Sequence, residues 1–282
     1  MKRFKIKKRY LLLATIIVAI FLYWQNNSLV ITRIIYKNAN LPTSFDDFTI
    51  VHISDLHNKQ FGENQKYLME HIEKINPDII VVTGDLVDRR TYNLEIAMEF
   101  VNNALKVAPV YYVSGNHEAW SGKYDVIVKK LEEAGVVVLD DKVVQIEHGE
   151  EFINIIGLSD PDFLTSDYLE GTNSTKLEKA LSELSKVEGF KLLLCHRPEL
   201  MDLYVVNNID LVFSGHAHGG QIRLPFIGGI LAPDQGFFPK YTSGSYSEKN
   251  TTMVVSRGLG NSVFPFRVFN RPEIIVVKLT RQ

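Results

Sequence analysis

Short apolar runs alternate with amphipathic stretches over most of the chain after residue 47. Runs rich in Val and Ile predict buried strands, and apolar residues three or four positions apart predict helices. The predicted strands are Phe48–Ile53, Ile79–Val82, Val110–Val113, Val136–Leu139, Val143–Ile146, Phe152–Ile156, Lys191–Leu194, Leu211–Phe213, Met253–Val255 and Ile274–Lys278. The predicted helices are Asn64–Ile75, Leu94–Leu105, Tyr124–Ala134 and Leu177–Leu184. This alternation predicts an α/β fold with buried strands.

The apolar run Tyr10–Trp24 differs from this pattern. It is 15 residues long and follows a flank with six Lys and Arg residues in nine positions. Its length lies between the core of a cleaved signal peptide and the roughly 20 residues of a membrane-spanning helix. The bulky residues at its end, among them Tyr23 and Trp24, favour an uncleaved anchor, because they suit a membrane interface and differ from the small residues of a cleavage site. A buried core helix is the least favoured alternative beside so many cations.

The basic flank also predicts the orientation of the chain. Under the positive-inside rule, residues 1–9 stay in the cytoplasm and residues 10–25 form a single transmembrane anchor. Residues 26–47 are then a juxtamembrane segment, and residues 48–282 form the folded domain. We expect this domain on the extracytoplasmic face of the cell membrane.

The net charge of −2 conceals an acidic body. Outside the basic flank the chain has 25 Lys and Arg residues against 33 Asp and Glu residues, a net charge of −8. An acidic body is a poor binder of polyanions, so we expect no nucleic-acid partner. Cys195 is the only cysteine, which excludes an internal disulfide and a Cys-rich zinc module.

Five of the predicted strands end in a cluster of polar residues. Because ligands bind at the carboxyl ends of strands in α/β sheets, we expect these clusters to meet at one edge. In chain order the clusters contain Asp55 and His57; Asp85, Asp88 and Arg89; Asn116, His117 and Glu118; His196; and His216 and His218.

These residue types indicate a metal centre. Asp, Asn and His without a thiolate fit Mn, Fe, Zn or Mg ions rather than a structural zinc finger. Seven or eight ligands are too many for one ion, so two ions that share a carboxylate are expected. The pair His216 and His218, flanked by glycines, is the most specific of the clusters. Taken alone, His196 is more often structural, and the segment around Asp85 is equally compatible with an ordinary turn.

The remaining cluster residues suggest catalysis and substrate binding. His117 is placed to donate a proton to a leaving oxygen, with Glu118 holding its imidazole. Asp88 is a candidate for orienting a ligand from outside the metal shell. Arg89 either clamps a phosphate or pairs with Asp88.

Four other residues are candidates only at first sight. Cys195 neighbours His196, but adjacent side chains of a strand point to opposite faces, so we predict a buried structural thiol rather than a Cys–His dyad. His52 is predicted to lie in the core or behind the ligands. His71 and His148 are predicted to be solvated.

The five clusters in this order resemble the calcineurin-like metallophosphoesterase family. Its pattern is D-x-H, G-D-x-x-D, G-N-H-E, a single His and G-H-x-H, and every piece is intact here. The stretches HRPE, GHAHGGQ and SRGLGNS…PFRVFNRPE resemble a bacterial membrane-anchored branch of that family. The resemblance implies a four-layer αββα sandwich, with two mixed sheets flanked by helices, after the N-terminal transmembrane helix.

The resemblance also implies roles for individual residues. His117 would be the acid near the leaving group, and Arg89 would contact phosphate. Asp85 would bridge two divalent ions, of which manganese is the first expectation and Fe, Zn or Mg the alternatives. The first ion would be held by Asp55, His57, Asp85 and His218, and the second by Asp85, Asn116, His196 and His216.

The activity expected from this resemblance is hydrolysis of a phosphodiester or pyrophosphate bond by in-line attack of a hydroxide held by two metal ions. Residues 222–238 are apolar, rich in Gly and Pro, and follow the last cluster directly. Together with Phe264, Phe266 and Phe269, they suggest a lipid or cell-envelope substrate. The alternative is a loop packed on its own core.

Three other functions stay open at this point. One is a phosphomonoesterase acting on proteins or small metabolites, and another is a catalytically silent, membrane-tethered binding module. A nuclease is disfavoured by the acidic body and the anchor.

Overall fold

Two six-stranded sheets form the centre of the protein, which the computed structural model describes at residues 8–163, 174–262 and 264–282. The strands are β1 (Val30–Asn38), β2 (Thr49–Ile53), β3 (Ile79–Thr83), β4 (Val110–Val113), β5 (Val137–Val138), β6 (Lys142–His148), β7 (Glu151–Gly157), β8 (Lys191–Leu194), β9 (Leu211–Ser214), β10 (Arg223–Leu224), β11 (Gly228–Gly229), β12 (Leu231–Ala232), β13 (Gly236–Phe237), β14 (Gly244–Glu248), β15 (Thr251–Val255) and β16 (Glu273–Arg281). The helices are α1 (Lys8–Asn27), α2 (Lys66–Ile75), α3 (Leu94–Ala104), α4 (Asn116–Ser121), α5 (Tyr124–Ala134), α6 (Ser174–Leu184) and α7 (Met201–Val206).

Both sheets are mixed. The first has the order β1-β16-β2-β3-β4-β5, in which β16 and β2 are antiparallel and the other neighbours are parallel. The second has the order β14-β15-β9-β8-β7-β6, with parallel pairs inside and an antiparallel pair at each edge. The pairs β10–β11 and β12–β13 form two short hairpins that lie between β9 and β14 in sequence.

Alternation of side chains along each strand creates three apolar layers. In β3, Ile80 and Val82 pack with the helices α2, α3 and α5, whereas Val81 faces the second sheet. In β8, Leu192 faces the first sheet and Leu193 packs with α6 and α7. Each sheet is therefore covered on both faces, and the expected four-layer αββα sandwich is confirmed.

Helix α1 precedes this sandwich. It is 20 residues long, and its length and composition would allow it to cross a membrane. A signal sequence meets the same criteria of length and composition. Helix α1 extends past the predicted anchor at both ends. Its first residues are exposed, while Gln25 and Asn26 in its last turn are buried against the domain. Residues 1–7 of the predicted basic flank lie outside the described residues.

One strand of the first sheet lies before residue 48, the predicted start of the domain. Part of the supposed juxtamembrane segment 26–47 is the nine-residue strand β1, which pairs in parallel with β16 from Val30 opposite Glu273 to Asn38 opposite Arg281. As an edge strand it keeps several side chains partly or fully exposed, so it lacks the signature of a buried strand. The first sheet therefore takes its edge strand from the segment predicted as juxtamembrane.

Shorter elements were also absent from the predicted set. They are α4, α7, β14 and the two hairpins within 222–238. The longer predictions are confirmed to within a few residues, and Gly135 ends α5 with a φ of 105°, as expected of a helix C-cap.

The carboxyl ends of the strands from both sheets meet at one edge. The Ser54 hydroxyl donates to the Thr83 carbonyl (3.1 Å), which joins the ends of β2 and β3. The His196 ring nitrogen Nδ1 lies 2.6 Å from the same carbonyl, although His196 follows β8 in the other sheet. The five polar clusters therefore converge, as the sequence predicts.

Candidate metal centre

The first ligand group consists of Asp55, His57, Asp85 and His218. All four are buried, and each offers one ligand atom within 4.8 Å of the others. The Nε2 atoms of His57 and His218 are 3.2 Å apart. His218 Nε2 also lies 3.2 Å from an Asp55 oxygen. Ring nitrogens and carboxylate oxygens that converge on one point form a suitable cage for a cation.

The second ligand group consists of Asp85, Asn116, His196 and His216. His196 Nε2 lies 3.1 Å from the Asn116 amide oxygen and 3.2 Å from His216 Nδ1. It is also 3.4 Å from Asp85 Oδ2. Asp85 Oδ2 lies at the same distance, 3.4 Å, from His57 Nε2 of the first ligand group. One carboxylate oxygen therefore stands between the two groups.

Five of these side chains sit on strained backbone. Asp55, His57, Asp85, His216 and His218 have φ values of 53°, 45°, 54°, 62° and 46°, in the left-handed region. Such a conformation costs on the order of 1–3 kcal/mol per residue and clusters at functional sites. The surrounding structure holds these ligands in place against their backbone preference.

Two glycines allow the loops to approach so closely. A Cβ atom at Gly215 would lie 1.9 Å from the Ser54 hydroxyl, and one at Gly115 would lie 2.3 Å from an Asp85 oxygen. The glycines of the G-H-x-H and G-N-H-E clusters are thus required by packing against the neighbouring polar side chains.

Electrostatics within the site also favour a cation. Burial opposes the charged form of His196, but Asp85 outweighs burial and raises the pKa of His196 to about 10. Within the described residues, the buried Nδ1 atoms of His57 and His218 make no hydrogen bond. Buried carboxylates facing imidazoles are costly unless positive charge compensates them, so the donor set fits divalent metal ions.

Glu118 fixes two of the ligand loops. Its carboxylate accepts the backbone N–H groups of Asp85 (2.7 Å), Gly115 (2.8 Å) and Val87 (3.2 Å). Burial and the nearby Asp85 raise the pKa of Glu118 to about 8, while these N–H donors act in the opposite direction. The sequence-based expectation that Glu118 holds the His117 imidazole is wrong, because the carboxylate binds backbone.

His117 lies beside the first ligand group. Its ring centroid is 4.4 Å from that of His57, and its backbone N–H donates to Asp85 (2.8 Å). Its Nδ1 accepts the backbone N–H of Arg89 (3.2 Å), so the proton of the neutral ring is on Nε2. Burial lowers the pKa of His117 to about 4. The nearest carboxylate to the ring is that of Asp88, at 3.9 Å.

The two arginines after Asp88 differ from expectation. Arg90, not Arg89, pairs with Asp88 through its side chain (2.7 Å) and its backbone N–H (2.7 Å). The Arg89 guanidinium is exposed and lies 4.4 Å above the Trp120 ring, which in turn is 5.5 Å from the His117 ring. Pairing of Arg89 with Asp88 is therefore excluded, and Arg89 remains available at the mouth of the site.

Two functional candidates were missed from the sequence. Arg197 is buried and binds Asp160 through two hydrogen bonds of 2.7 and 2.8 Å. It also contacts Asp234, whose carboxylate lies 2.8 Å from His216 Nε2. Asp234 belongs to the apolar loop 222–238, so this loop orients a candidate ligand. Arg197 lies in the HRPE stretch, but nothing in the local sequence marks Asp234.

The set-aside residues behave largely as predicted. Cys195 is fully buried, and burial raises the pKa of its thiol to about 12. His52 is buried behind the ligands and bonds to the Thr83 hydroxyl (2.8 Å). His71 is half-buried in α2, and the exposed His148 packs against Phe45 and Phe48.

An αββα sandwich with His, Asp and Asn ligands gathered at its strand ends defines a metal-dependent hydrolase of phosphoric esters. The model of the calcineurin-like phosphoesterase family matches residues 48–220, and the chain belongs to this family.

Individual relatives agree with this placement. YkuE of Bacillus subtilis (strain 168), an uncharacterised metallophosphoesterase, is 35% identical over 252 residues, which are 86% of this chain and 82% of YkuE. A Danio rerio transmembrane protein with a metallophosphoesterase domain is 29% identical over 248 residues, 85% of this chain and 54% of that protein. The fold is similar to that of TT1561 from Thermus thermophilus, with a TM-score of 0.50 and 14% identity over 75% of this chain and 89% of that one. The apolar α1 and the transmembrane relative are consistent with a membrane anchor.

Proposed function

We propose that the chain hydrolyses phosphodiester or pyrophosphate bonds with the help of two divalent ions that share Asp85. The observation that carries this proposal is the position of Asp85 Oδ2, 3.4 Å from both His57 Nε2 and His196 Nε2. A single oxygen between two sets of ring nitrogens is the arrangement that a bridging carboxylate requires.

The two ligand groups divide the ions between them. The first ligand group would hold one ion, and the second ligand group would hold the other. Manganese suits this mixed oxygen and nitrogen set, with Fe, Zn and Mg as alternatives. When bound, two such cations stabilise the charge that develops on the phosphoryl oxygens and make water a usable nucleophile near neutral pH.

The chain itself supplies a hydrogen-bond donor for the leaving group. Since His117 Nδ1 accepts from the Arg89 backbone, the ring presents Nε2–H toward the site. Its backbone N–H donates to Asp85, which fixes His117 beside the carboxylate common to both ligand groups. His117 donates a hydrogen bond through this Nε2–H to the departing oxygen, which takes its proton from solvent. Arg89, stacked on Trp120, binds a phosphate oxygen of the substrate.

The substrate class we favour is a lipid-linked or cell-envelope phosphoester. Two features support it, the apolar loop that orients His216 through Asp234 and the apolar helix that precedes the domain. The basic residues before α1 favour a single-pass protein in the cell membrane with its domain on the extracytoplasmic face. No nucleic-acid partner is expected from the acidic body.

The test compares two chromogenic esters on the full-length protein in detergent. We expect Mn-dependent turnover of bis-p-nitrophenyl phosphate above that of p-nitrophenyl phosphate in the wild type, and loss of turnover in Asp85→Asn. Faster turnover of the monoester would favour the phosphomonoesterase alternative. No turnover of either ester with Mn, Fe, Zn or Mg would contradict the proposal and favour a silent binding module.

A further inference from the structure

Large apolar side chains protrude from the loop that follows the metal centre. Phe226 and Ile227 are exposed at the tip of the β10–β11 hairpin. Phe237 and Phe238, on and just after β13, are exposed to 73% and 69%. Removing a Phe side chain from water is favourable, so several exposed together on one surface indicate a place of contact.

A second segment extends this apolar surface. Ile222 forms a bridge with Val268, and the Arg223 N–H donates to the Val268 carbonyl (3.0 Å). This segment adds the exposed rings of Phe266 and Phe269. We name the surface formed by these six exposed side chains the apolar rim: Phe226, Ile227, Phe237, Phe238, Phe266 and Phe269.

The apolar rim begins where the apolar surface of α1 ends. Phe269 packs edge-on against Phe21 of α1, with ring centroids 5.5 Å apart. Trp24, near the end of the helix, lies beneath the guanidinium of Arg271 at 4.8 Å. The apolar side chains of α1 therefore adjoin the part of the apolar rim that carries Phe269.

Hydrogen bonds hold α1 and the apolar rim in a fixed relation. The Asn26 side-chain oxygen accepts the Arg267 backbone N–H (3.0 Å) and the Asn261 amide (3.0 Å). The Gln25 oxygen accepts the backbone N–H of Asn270 (3.2 Å). These bonds join the last turn of α1 to the segment that carries Phe266 and Phe269, so the helix and the rim are positioned together.

The same segments border the metal centre. The Asn270 amide donates to the His218 carbonyl (2.7 Å), and Asp234, in the turn of the β12–β13 hairpin, contacts His216. A membrane in contact with the apolar rim would therefore lie beside the candidate ligands.

We propose that the apolar rim enters the outer part of the bilayer that α1 spans and places the metal centre at the level of the lipid head groups. The contact with α1 favours a lipid surface over a second copy of the chain, because the helix and the apolar rim then face one environment. The inference rests on the proposed membrane anchor, and it deepens the proposed function by naming membrane lipids as the source of substrate.

The direct test measures immersion depth in the full chain reconstituted into phosphatidylethanolamine–phosphatidylglycerol nanodiscs. Nitroxide labels are placed at Phe226→Cys and Phe237→Cys, and power saturation compares collisions with oxygen and with a water-soluble nickel complex. Cys195 is fully buried, so the added cysteine is the reactive one. Ile17→Cys reports on the anchor. Phe152→Cys is the matched control, because Phe152 is exposed at the amino end of β7, opposite the site.

We expect labels at 226, 237 and 17 to prefer oxygen and the label at 152 to prefer the nickel complex. If the labels at 226 and 237 are in water while the label at 17 is in lipid, immersion of the apolar rim is overturned and the membrane anchor is retained. A water-exposed label at 17 would overturn the anchor and the inference with it. If the rim labels are inaccessible to both reagents and show spin–spin coupling between two copies of the chain, a second copy covers the apolar rim. That result would overturn the inference.

A functional test separates the surface from the chemistry. Phe226→Ser combined with Phe237→Ser should leave turnover of soluble bis-p-nitrophenyl phosphate unchanged. The same variant should hydrolyse phosphatidyl-p-nitrophenol in vesicles at least about tenfold more slowly, because the apolar rim positions the metal centre at the lipid head groups. Equal loss on both substrates, or on neither, would contradict the inference. A wild type that hydrolyses only the soluble ester would overturn the lipid substrate, while the depth measurement still decides the rim.

Discussion

The two ligand groups differ in what holds them in place. The first ligand group is fixed mainly by backbone packing, with Asp85 held by the Glu118 clamp and Asp55 packed against Gly215. The second ligand group contains His216, whose outer nitrogen is held by the side chain of Asp234 from a surface loop. One group is therefore built into the core, and the other depends on a segment with exposed apolar residues.

This difference implies different behaviour toward metal. A site fixed by backbone is organised before the ion arrives, whereas a ligand oriented by a surface carboxylate is sensitive to the position of its loop. We expect the first ion to bind independently of loop 222–238 and the second to respond to it. The predictions that follow test this division, beginning with the residue common to both groups.

The largest effect is expected from Asp85→Asn. Loss of the shared carboxylate weakens the binding of both ions. Turnover should therefore fall by about a thousandfold or more, which is equivalent to several kcal/mol of transition-state stabilisation. Metal content measured by mass spectrometry after gel filtration should fall as well. Glu133→Gln, on the exposed face of α5, is the control and should change neither quantity. Full metal content in Asp85→Asn would refute the shared ligand.

The next effect concerns the clamp on the first ligand group. Glu118→Gln replaces an oxygen with an NH₂ group that faces backbone N–H donors, so at least one buried hydrogen bond is lost. The free energy of unfolding should fall by about 1–3 kcal/mol, the cost of leaving a buried N–H donor without an acceptor. Thermal denaturation of the metal-free chain measures this change. Glu132→Gln, exposed on α5, should leave the melting temperature unchanged. A Glu118→Gln melting curve equal to that of the wild type would show that the clamp is dispensable.

The clusters and strands could be predicted because their signals are local. Asp55, Asp85 and His196 each follow a short β-branched or Leu-rich run, and the carboxyl ends of such strands meet by topology. The α/β packing with buried strands follows from the apolar runs, whereas the four-layer arrangement was implied by the family resemblance. These features depend on neighbours in the sequence, which a pattern can report.

The missed features depend on distant neighbours. Arg197 and Asp234 are 37 residues apart, and their ion pair arises only once a loop folds across β8 and β9. Asp88 pairs with Arg90 rather than with Arg89. The conformation of the turn after β3 decides which of the two neighbouring side chains reaches Asp88. Strand β1 was missed because an edge strand with exposed side chains lacks the composition of a buried one.

Asp234→Asn should separate the two ligand groups. Without the carboxylate, His216 loses the group that orients its ring, and the affinity for the second ion should fall about 10- to 100-fold, as is typical for partners of metal-bound His. Calorimetric titration with Mn should then show one unchanged binding step and one weakened step. Asp162→Asn is the matched control, since Asp162 pairs with the same arginine (2.9 Å). Equal weakening of both steps, or an equal effect in the control, would contradict the division.

The smallest effect is expected where α1 meets the first ligand group. Gln25 accepts the backbone N–H of Asn270, and Asn270 in turn donates to the His218 carbonyl. Gln25→Ala removes one buried hydrogen bond, so stability should fall by about 1 kcal/mol. The melting temperature should fall by about 2–4 °C, the usual shift for a chain of roughly this size.

Measuring how tightly the first ion binds shows whether the bond between Gln25 and Asn270 only stabilises the fold or also positions a metal ligand. If the first ligand group is fixed by its own backbone packing, Gln25→Ala lowers the melting temperature. The Mn binding step that Asp234→Asn leaves unchanged should then also be unchanged in Gln25→Ala. Thr15→Val, which removes a hydroxyl bonded within α1, is the control for altering the helix itself. A weakened first step in Gln25→Ala but not in Thr15→Val would instead mean that the helix end positions His218. The first ligand group would then depend on α1 and the second on loop 222–238. The two groups would differ only in how strongly metal binding depends on these segments.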